Sequence, residues 1–210
     1  MKLSIEEMIE KTYSPNITID EILKLPLYSY EGEVVCVDTL EKFSEVKDEL
    51  FLETLWGFDT ETKPCFKKGA ANRKNVALLQ LSSREKTYIF RLNKIGLLAE
   101  LCNFLSSDRF TKIGLSSRDD IKGLQKLTPF EPAGFIDLQS IVSEYGIEEK
   151  GLRKLAAIVL GVRISKSQQL SNWESDVLAE KQVRYAATDS WVTRRIYVEL
   201  KRNSSDGNII

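Results

Sequence analysis

Three strand signals in close succession, between residues 55 and 92, constrain the fold most. LWGFDTE (55–61) predicts a buried strand, and VALLQLS (76–82) and KTYIFRL (86–92) predict a hairpin, because only the polar segment SRE separates them. Towards the carboxyl end strands alternate with helices, as in KIGLSS (112–117) followed by RDDIKGLQKL (118–127). This order predicts an α/β fold with a mixed central β-sheet flanked by α-helices.

Helical spacing and turn-forming residues divide the sequence further. Residues 1–30 carry two short helical patterns, IEEMIEK and IDEILK, and are predicted to form an amino-terminal arm. The main domain is predicted over residues 31–203, followed by a flexible tail at 204–210. It should open on the strand EVVCV (33–37). Helices are predicted over about 39–53, 95–106, 151–161 and 179–202.

Composition excludes several classes of protein. With 210 residues the chain suits one domain, and its hydrophobic fraction of 42% and charged fraction of 29% are ordinary for a globular protein. No apolar run is long enough to span a membrane and no secretory signal is visible, so we expect a cytoplasmic protein without membrane association. The net charge of −1 gives no overall signature of a nucleic-acid binder, although a local basic patch remains open.

The chemistry available to the chain is restricted by the absence of histidine. Triads and metal sites that depend on histidine are therefore excluded. The three cysteines are widely spaced and form no CxxC, which favours neither a disulfide framework nor a zinc site. GxGxxG after a strand and GxxxxGK[ST] are also missing, so dinucleotide-binding and P-loop folds lack their motifs. Catalysis would have to use carboxylates, Tyr, Lys, Ser or Cys.

Acidic residues stand out where they share a face with apolar ones. Asp59 and Glu61 follow a buried strand two residues apart, so both side chains point the same way, about 7 Å apart. In the last helix, Asp189 shares one stripe with Tyr185 and the apolar positions 192 and 196. Asp120 shares its stripe with leucines at 124 and 127 and should point inward, whereas its neighbour at position 119 should point outward.

A divalent cation would explain four inward carboxylates. At about 4 Å and an effective dielectric constant near 20, two like charges repel by roughly 4 kcal/mol, and a cation removes that repulsion. Oxygen ligands without His or Cys favour Mg²⁺ or Mn²⁺, and such a set is typical of two-metal phosphoryl-transfer sites. Each acid also has an ordinary interpretation: Asp120 as a helix cap, Asp59 and Glu61 as solvated loop acids, and Asp189 as a partner of Arg194, Arg195 or water.

Three segments carry a family resemblance. FDTET (58–62), KIGLSSRDDIKGL (112–124) and YAATD (185–189) resemble, in order and spacing, the motifs of the DEDD 3′–5′ exonucleases. Because a Tyr stands four residues before the last Asp, the sequence resembles the tyrosine subclass of these enzymes, which includes ribonuclease D and the exonuclease domain of the Werner syndrome helicase. VALLQL (76–81) and SNWE (171–174) also match segments between the motifs.

The resemblance implies a ribonuclease H-like fold and a set of catalytic roles. Asp59 would bridge two divalent cations, Mg²⁺ or Mn²⁺, with Glu61 and Asp189 completing the first site and Asp120 holding the second. Tyr185 would orient the attacking water. The reaction implied is hydrolysis of the terminal 3′ phosphodiester of DNA or RNA, which releases a nucleoside 5′-monophosphate.

Substrate contacts are expected beside the acids. The loop after FDTET carries Phe66, which could stack on a base or anchor the loop, and Gln80 could contact the terminal nucleotide or bond to backbone. Gly57 either lets metal or phosphate approach closely or relieves packing against a helix. The basic residues of the loop form either a strand-contacting patch or a solvated surface: Lys63, Lys67, Lys68, Arg73 and Lys74.

Three functions compete at this point. The first is a metal-dependent 3′–5′ exonuclease, favoured because all four acids and the tyrosine are present in order. The second is a non-catalytic ribonuclease H-like module that binds nucleic acid or protein. The third is a metal-dependent phosphohydrolase of small nucleotides. The sequence neither chooses between DNA and RNA nor identifies a protein partner.

Overall fold

The computed structural model describes residues 12–64 and 75–203. Six of its strands form one mixed sheet in the spatial order β2-β5-β4-β3-β6-β7, while β1 and β8 form a separate parallel pair. The strands are β1 Leu27–Tyr28, β2 Glu33–Val37, β3 Leu55–Thr62, β4 Val76–Ser82, β5 Lys86–Arg91, β6 Thr111–Gly114, β7 Phe135–Asp137 and β8 Arg163–Ile164. β3, β4 and β5 form an antiparallel meander, and β6 and β7 run parallel to β3. The predicted mixed sheet and hairpin are confirmed.

Helices cover the sheet and occupy the spaces between strands. They are α1 Ile19–Lys24, α2 Leu40–Val46, α3 Leu92–Ile95, α4 Ala99–Leu105, α5 Ser117–Gln125, α6 Leu138–Ile141, α7 Leu152–Leu155 and α8 Glu180–Arg202. The helix predicted over 39–53 continues after α2 only as a 3₁₀ turn, Lys47–Phe51. The helix predicted over 95–106 begins only at Ala99, because Gly96, whose φ is 72°, ends α3 at Ile95. After α7 the chain makes a π-helical turn, Ala156–Leu160, which ends at Gly161 as predicted.

The two faces of the sheet bury different sets of side chains. On one face, here called the α5 face, Trp56 and Phe58 pack with residues of α2, α4 and α5, including Leu124. On the other, the α8 face, α6, α7 and α8 pack through residues such as Leu155 and Val192. Because side chains alternate along a strand, the odd positions of β3 face α8 and the even positions face α5. This alternation decides where each acidic side chain points.

The described part of the predicted arm, residues 12–30, packs against segments near positions 148 and 163. β1 pairs with β8, the Arg163 guanidinium donates from Nε to the carbonyl of Leu25 at 3.0 Å, and the amide of Glu148 donates to the carbonyl of Pro15 at 2.9 Å. The β1–β8 pair, with two residues in each strand, was not predicted. The predicted helix at 5–11 and the tail at 204–210 lie outside the described residues. Across the part of the chain that is described, no helix has the length and apolar character that crossing a membrane requires.

Candidate active site

The carboxyl-terminal half of β3 presents two acids to α8. Asp59 and Glu61 lie at odd positions and therefore point to the α8 face. Gly57, two residues earlier, allows the helix to approach: a Cβ at this position would lie 1.9 Å from the carbonyl oxygen of Ser190. The structure therefore supports the packing interpretation of this glycine. Close approach of the helix brings Asp189, one residue before Ser190, over the same end of the strand.

Asp189 completes a cluster of three carboxylates. One oxygen each from Asp59, Glu61 and Asp189 lies within 4.8 Å of the others, and all three side chains keep part of their surface exposed. The two arginines considered as partners of Asp189 are engaged elsewhere. The Arg194 guanidinium donates from Nε to the carbonyl of Leu55 at 3.1 Å, and the Arg195 guanidinium lies 5.5 Å from the ring centroid of Trp191. Asp189 faces inward as predicted, towards Asp59 and Glu61, and its side chain is half-buried.

Burial and mutual repulsion raise the pKa of these acids. The pKa of Glu61 rises to about 9, first because burial disfavours the charged form and then because Asp189 and Asp120 are near. Burial also raises the pKa of Asp189 to about 7, although a hydrogen bond from Tyr185 and the charge of Lys166 oppose the shift. For Asp59 the pKa is well above its usual range, owing to burial and the neighbouring acids.

Asp120 approaches from the other side of β3. The Thr60 hydroxyl, at an even position of the strand, donates to Oδ1 of Asp120 at 2.5 Å. Burial raises the pKa of Asp120 to about 6, with this hydrogen bond acting in the opposite direction. Its neighbour Asp119 has a side chain that is 92% exposed, so the predicted contrast between the two acids is confirmed. Asp120 lies close enough to raise the pKa of Asp59, but it is not one of the three clustered acids.

The start of α5 is fixed by an acid that the sequence did not single out. Asp137, at the end of β7, accepts hydrogen bonds from the amides of Ser116 at 3.1 Å and Ser117 at 2.9 Å. The helix cap is therefore Asp137 rather than Asp120, which leaves Asp120 free for another role. Neither Thr60 nor Asp137 carries a sequence signal, because each acts through a partner that only the fold brings near.

Tyr185 lies one turn before Asp189 on the same face of α8. Its ring packs against Trp173, with the ring centroids 5.9 Å apart. Burial, followed by the charge of Asp189, raises the pKa of the phenol above its usual value, so the hydroxyl stays protonated at neutral pH. Tyr185 can therefore donate a hydrogen bond at the site, and it is not equipped to act as a base.

The predicted substrate contacts have different outcomes. Gln80 lies directly opposite Asp59 in the β3–β4 ladder and is fully buried, so its side chain presents no surface to a nucleotide here. Neither of its amide atoms has a hydrogen-bond partner among the described residues. Lys63 pairs with Glu174 at 3.0 Å. The other loop residues, Phe66, Lys67, Lys68, Arg73 and Lys74, lie outside the described residues.

The donor set fits a hard divalent cation. Three carboxylates share a space of a few ångströms, and within the described ranges no cationic side chain forms an ion pair with any of them. Oxygen-only ligands of this kind suit Mg²⁺ or Mn²⁺ better than zinc. A cation would also hold all three acids in their charged form, against the pKa shifts that burial produces.

Comparison with known proteins places this arrangement in a family. Residues 34–204 match the 3′–5′ exonuclease domain family. The chain belongs to that family. It is 28% identical over 197 residues to the exonuclease mut-7 homolog of Aedes aegypti, covering 82% of this chain and 27% of that protein. It is 32% identical over 164 residues to exonuclease 3′-5′ domain-containing protein 2 of Drosophila melanogaster, covering 76% and 27%. The chain thus spans about a quarter of the length of these relatives.

Solved structures share the fold of this exonuclease domain. The Nibbler EXO domain of Aedes aegypti superimposes with a TM-score of 0.76 at 25% identity, covering 87% of this chain and 94% of that one. Escherichia coli RNase D superimposes with a TM-score of 0.70 at 21% identity, covering 80% and 45%. The predicted ribonuclease H-like fold and the resemblance to the DEDD exonucleases are confirmed by these matches.

Proposed function

We propose that residues 31–203 of this exonuclease domain hydrolyse the terminal 3′ phosphodiester of a nucleic acid and release nucleoside 5′-monophosphates. The observation that carries the proposal is the cluster of Asp59, Glu61 and Asp189, with ligand oxygens within 4.8 Å of one another. Asp59, Glu61 and Asp189 would hold one divalent cation, and Asp120 would contribute to a second. Bound Mg²⁺ or Mn²⁺ supplies the activation of water and the stabilisation of the leaving oxygen.

The protein's own groups would orient the reactants. Tyr185, as a protonated phenol one turn from Asp189, donates a hydrogen bond and positions the attacking water. Thr60 holds the carboxylate of Asp120 in one orientation. A phenol with a raised pKa is a poor base, so Tyr185 would orient the water without deprotonating it.

Release of labelled nucleotides tests the proposal. Oligonucleotides labelled at the 3′ end, single-stranded or as recessed duplexes, are incubated with Mg²⁺ or Mn²⁺ and either wild-type protein or Asp59→Asn. We expect labelled mononucleotides from wild type and a rate lower by roughly a thousandfold from the variant. Equal rates for the two proteins would contradict the proposal. Cleavage of free nucleotides without cleavage of polymers would instead identify a small-nucleotide phosphohydrolase, and binding without any cleavage a non-catalytic module.

The choice of polymer needs matched substrates. RNase D of Trypanosoma brucei has been crystallised in complex with the RNA U12, at 21% identity to this chain. We propose a nucleic-acid 3′ end as the substrate here too, and degradation of DNA and RNA oligonucleotides of the same sequence distinguishes the two polymers. A protein that uses contacts to the 2′-hydroxyl degrades the RNA preferentially.

A further inference from the structure

Two cavities border Asp189, one of the three clustered acids, and residues of the amino-terminal arm line both. The larger, about 460 Å³, lies beside α7 and is here called the α7 cavity; the smaller, about 190 Å³, is the β1 cavity. Ser165, Tyr185 and Asp189 line both cavities. The two spaces therefore meet at Tyr185 and Asp189, which are proposed for catalysis. Ile19 and Ile22 of the arm line the α7 cavity, whereas Leu27, Tyr28 and Ser29 line the β1 cavity.

The α7 cavity carries an excess of positive charge. Lys154 is neutralised, because its ammonium lies 2.6 Å from a carboxylate oxygen of Glu149. Arg153 and Lys166 also line this cavity, and among the described residues neither forms an ion pair. The Nε of Arg153 is buried and has no hydrogen-bond partner among the described residues. Two cationic side chains that form no ion pair among the described residues therefore line a space that also borders Asp189.

We propose that the α7 cavity binds the sugar–phosphate backbone of the substrate strand next to the scissile phosphodiester, with Arg153 and Lys166 on its phosphates and the arm as one wall. The inference rests on the proposed function, since it assumes a polymer at the carboxylate cluster. Guanidinium and ammonium groups are the usual partners of phosphates, and within the described ranges neither Arg153 nor Lys166 is paired with a carboxylate. The arm is thereby part of the substrate site rather than a tether.

The arm supplies a matched pair of positions for the test. Ile19 and Leu23 lie one turn apart on α1 and are each 56% exposed. Ile19 lines the α7 cavity, whereas Leu23 lines neither cavity. Glutamate at position 19 would place a negative charge against the proposed path of the phosphates, and glutamate at position 23 would not. Thermal unfolding of both variants reports whether the fold is preserved.

The experiment measures binding and turnover separately. Binding of a fluorescein-labelled single strand is followed by anisotropy in Ca²⁺ for wild type, Arg153→Ala, Lys166→Ala, Ile19→Glu and Leu23→Glu. We expect each cation variant to weaken binding about tenfold and to reduce the slope of log K against log salt by about 0.7. Ile19→Glu should weaken binding severalfold and Leu23→Glu should not. Lys126→Ala removes an exposed lysine that lines neither cavity and is the control for lost charge.

Turnover of a minimal substrate separates this proposal from the proposed function. The p-nitrophenyl ester of thymidine 5′-monophosphate has one phosphodiester and no further nucleotide. We expect Arg153→Ala to raise the KM for oligonucleotides by a much larger factor than the KM for this ester. If wild type hydrolyses neither substrate, the proposed catalytic function is wrong, and the binding measurements still test the cavity. The cavity proposal is overturned if the variants bind no more weakly than Lys126→Ala, or if Ile19→Glu and Leu23→Glu behave alike.

Discussion

The contact between α8 and the sheet has two ends, and they differ in whether their polar groups have partners within the protein. At the end near Gly57, Ser82 Oγ lies 2.8 Å from Thr87 Oγ1 and 2.7 Å from Ser190 Oγ. Arg194 donates to the carbonyl of Leu55 and lies 3.5 Å from a carboxylate oxygen of Glu53. Each of these buried groups has a partner within the protein, so this end needs nothing from outside.

At the other end lie Asp59 and Glu61 of β3 and Asp189 of α8. Among the described residues none of the three forms an ion pair, although the charge of Lys166 lowers the pKa of Asp189. Asp59 and Glu61 face Asp189 with oxygens within 4.8 Å, and burial raises the pKa of all three. Buried like charges of this kind reduce stability unless a ligand neutralises them. The satisfied end therefore holds α8 in register against β3, and this keeps the three acids together at the proposed cation site.

Removing one of the three clustered acids should have the largest effect. We expect Asp189→Asn to lower nucleotide release by roughly a thousandfold, because an isosteric amide is a poor ligand for the cation and carries no charge. The same change should raise the melting temperature of the metal-free protein at pH 8, since a buried repulsive charge is lost. Differential scanning calorimetry in EDTA and the release assay check the two effects. Asp119→Asn, an exposed acid, is the control. A metal-free melting temperature that falls would show that the charge of Asp189 is already compensated.

The end of the contact near Gly57 should be sensitive to added side-chain volume instead. Gly57→Ala places a methyl group 1.9 Å from the carbonyl of Ser190, so α8 must shift. We expect a loss of about 3 kcal/mol in the free energy of unfolding, at the upper end of the cost of overpacking. Urea denaturation measures it. Gly151→Ala is the matched control, because a Cβ there meets no atom within 4 Å and its φ is −92°. A stability equal to that of Gly151→Ala would mean that the helix tolerates displacement from the strand.

The pH dependence of stability should distinguish metal-free from metal-bound protein. The folded pKa values of Asp120 at about 6, Asp189 at about 7 and Glu61 at about 9 lie above those of unfolded chains, about 4. The folded protein then binds more protons than the unfolded one, so stability falls as the pH rises from about 4 towards 9. We expect Mg²⁺ or Mn²⁺ to raise the melting temperature by a few degrees more at pH 8 than at pH 6. A metal-free melting temperature that increases over this range would contradict the shifts.

The sequence predicted the acids because each violates a local pattern. Asp59 and Glu61 end a buried strand, and Asp189 lies on an apolar stripe, so orientation followed from periodicity alone. The fold class followed from the order of strands and helices, and the meander from the three-residue connection SRE. These predictions use only neighbours along the chain, which is why they were accessible.

What the sequence could not predict depends on contacts between distant segments. The β1–β8 pair joins two segments of two residues each, too short for any periodicity to show. The helix predicted over 95–106 begins late because Gly96 has a positive φ, and a glycine within a helical pattern does not by itself end a helix. Gln80 was expected either to contact the terminal nucleotide or to bond to backbone, but it is fully buried and neither of its amide atoms has a partner among the described residues. Thr60 was overlooked because its partner is 60 residues away.

The smallest effect that we predict concerns Thr60, which contacts the fourth acid, Asp120, on the other side of β3. Thr60→Val keeps the shape of the side chain but removes the hydroxyl that donates to Asp120. Because Asp120 is not within the three-acid cluster, its orientation depends on this hydrogen bond more than on its neighbours. We expect the Mn²⁺ concentration for half-maximal activity to rise about tenfold, the order seen when a group that orients a metal ligand is lost. Thr60→Ser, which keeps the hydroxyl, should restore most of the response, and the Mn²⁺-induced rise in melting temperature should follow the same order. Equal metal responses in Thr60→Val and wild type would mean that Asp120 is held by the α5 backbone alone, with Asp137 as the group that positions it.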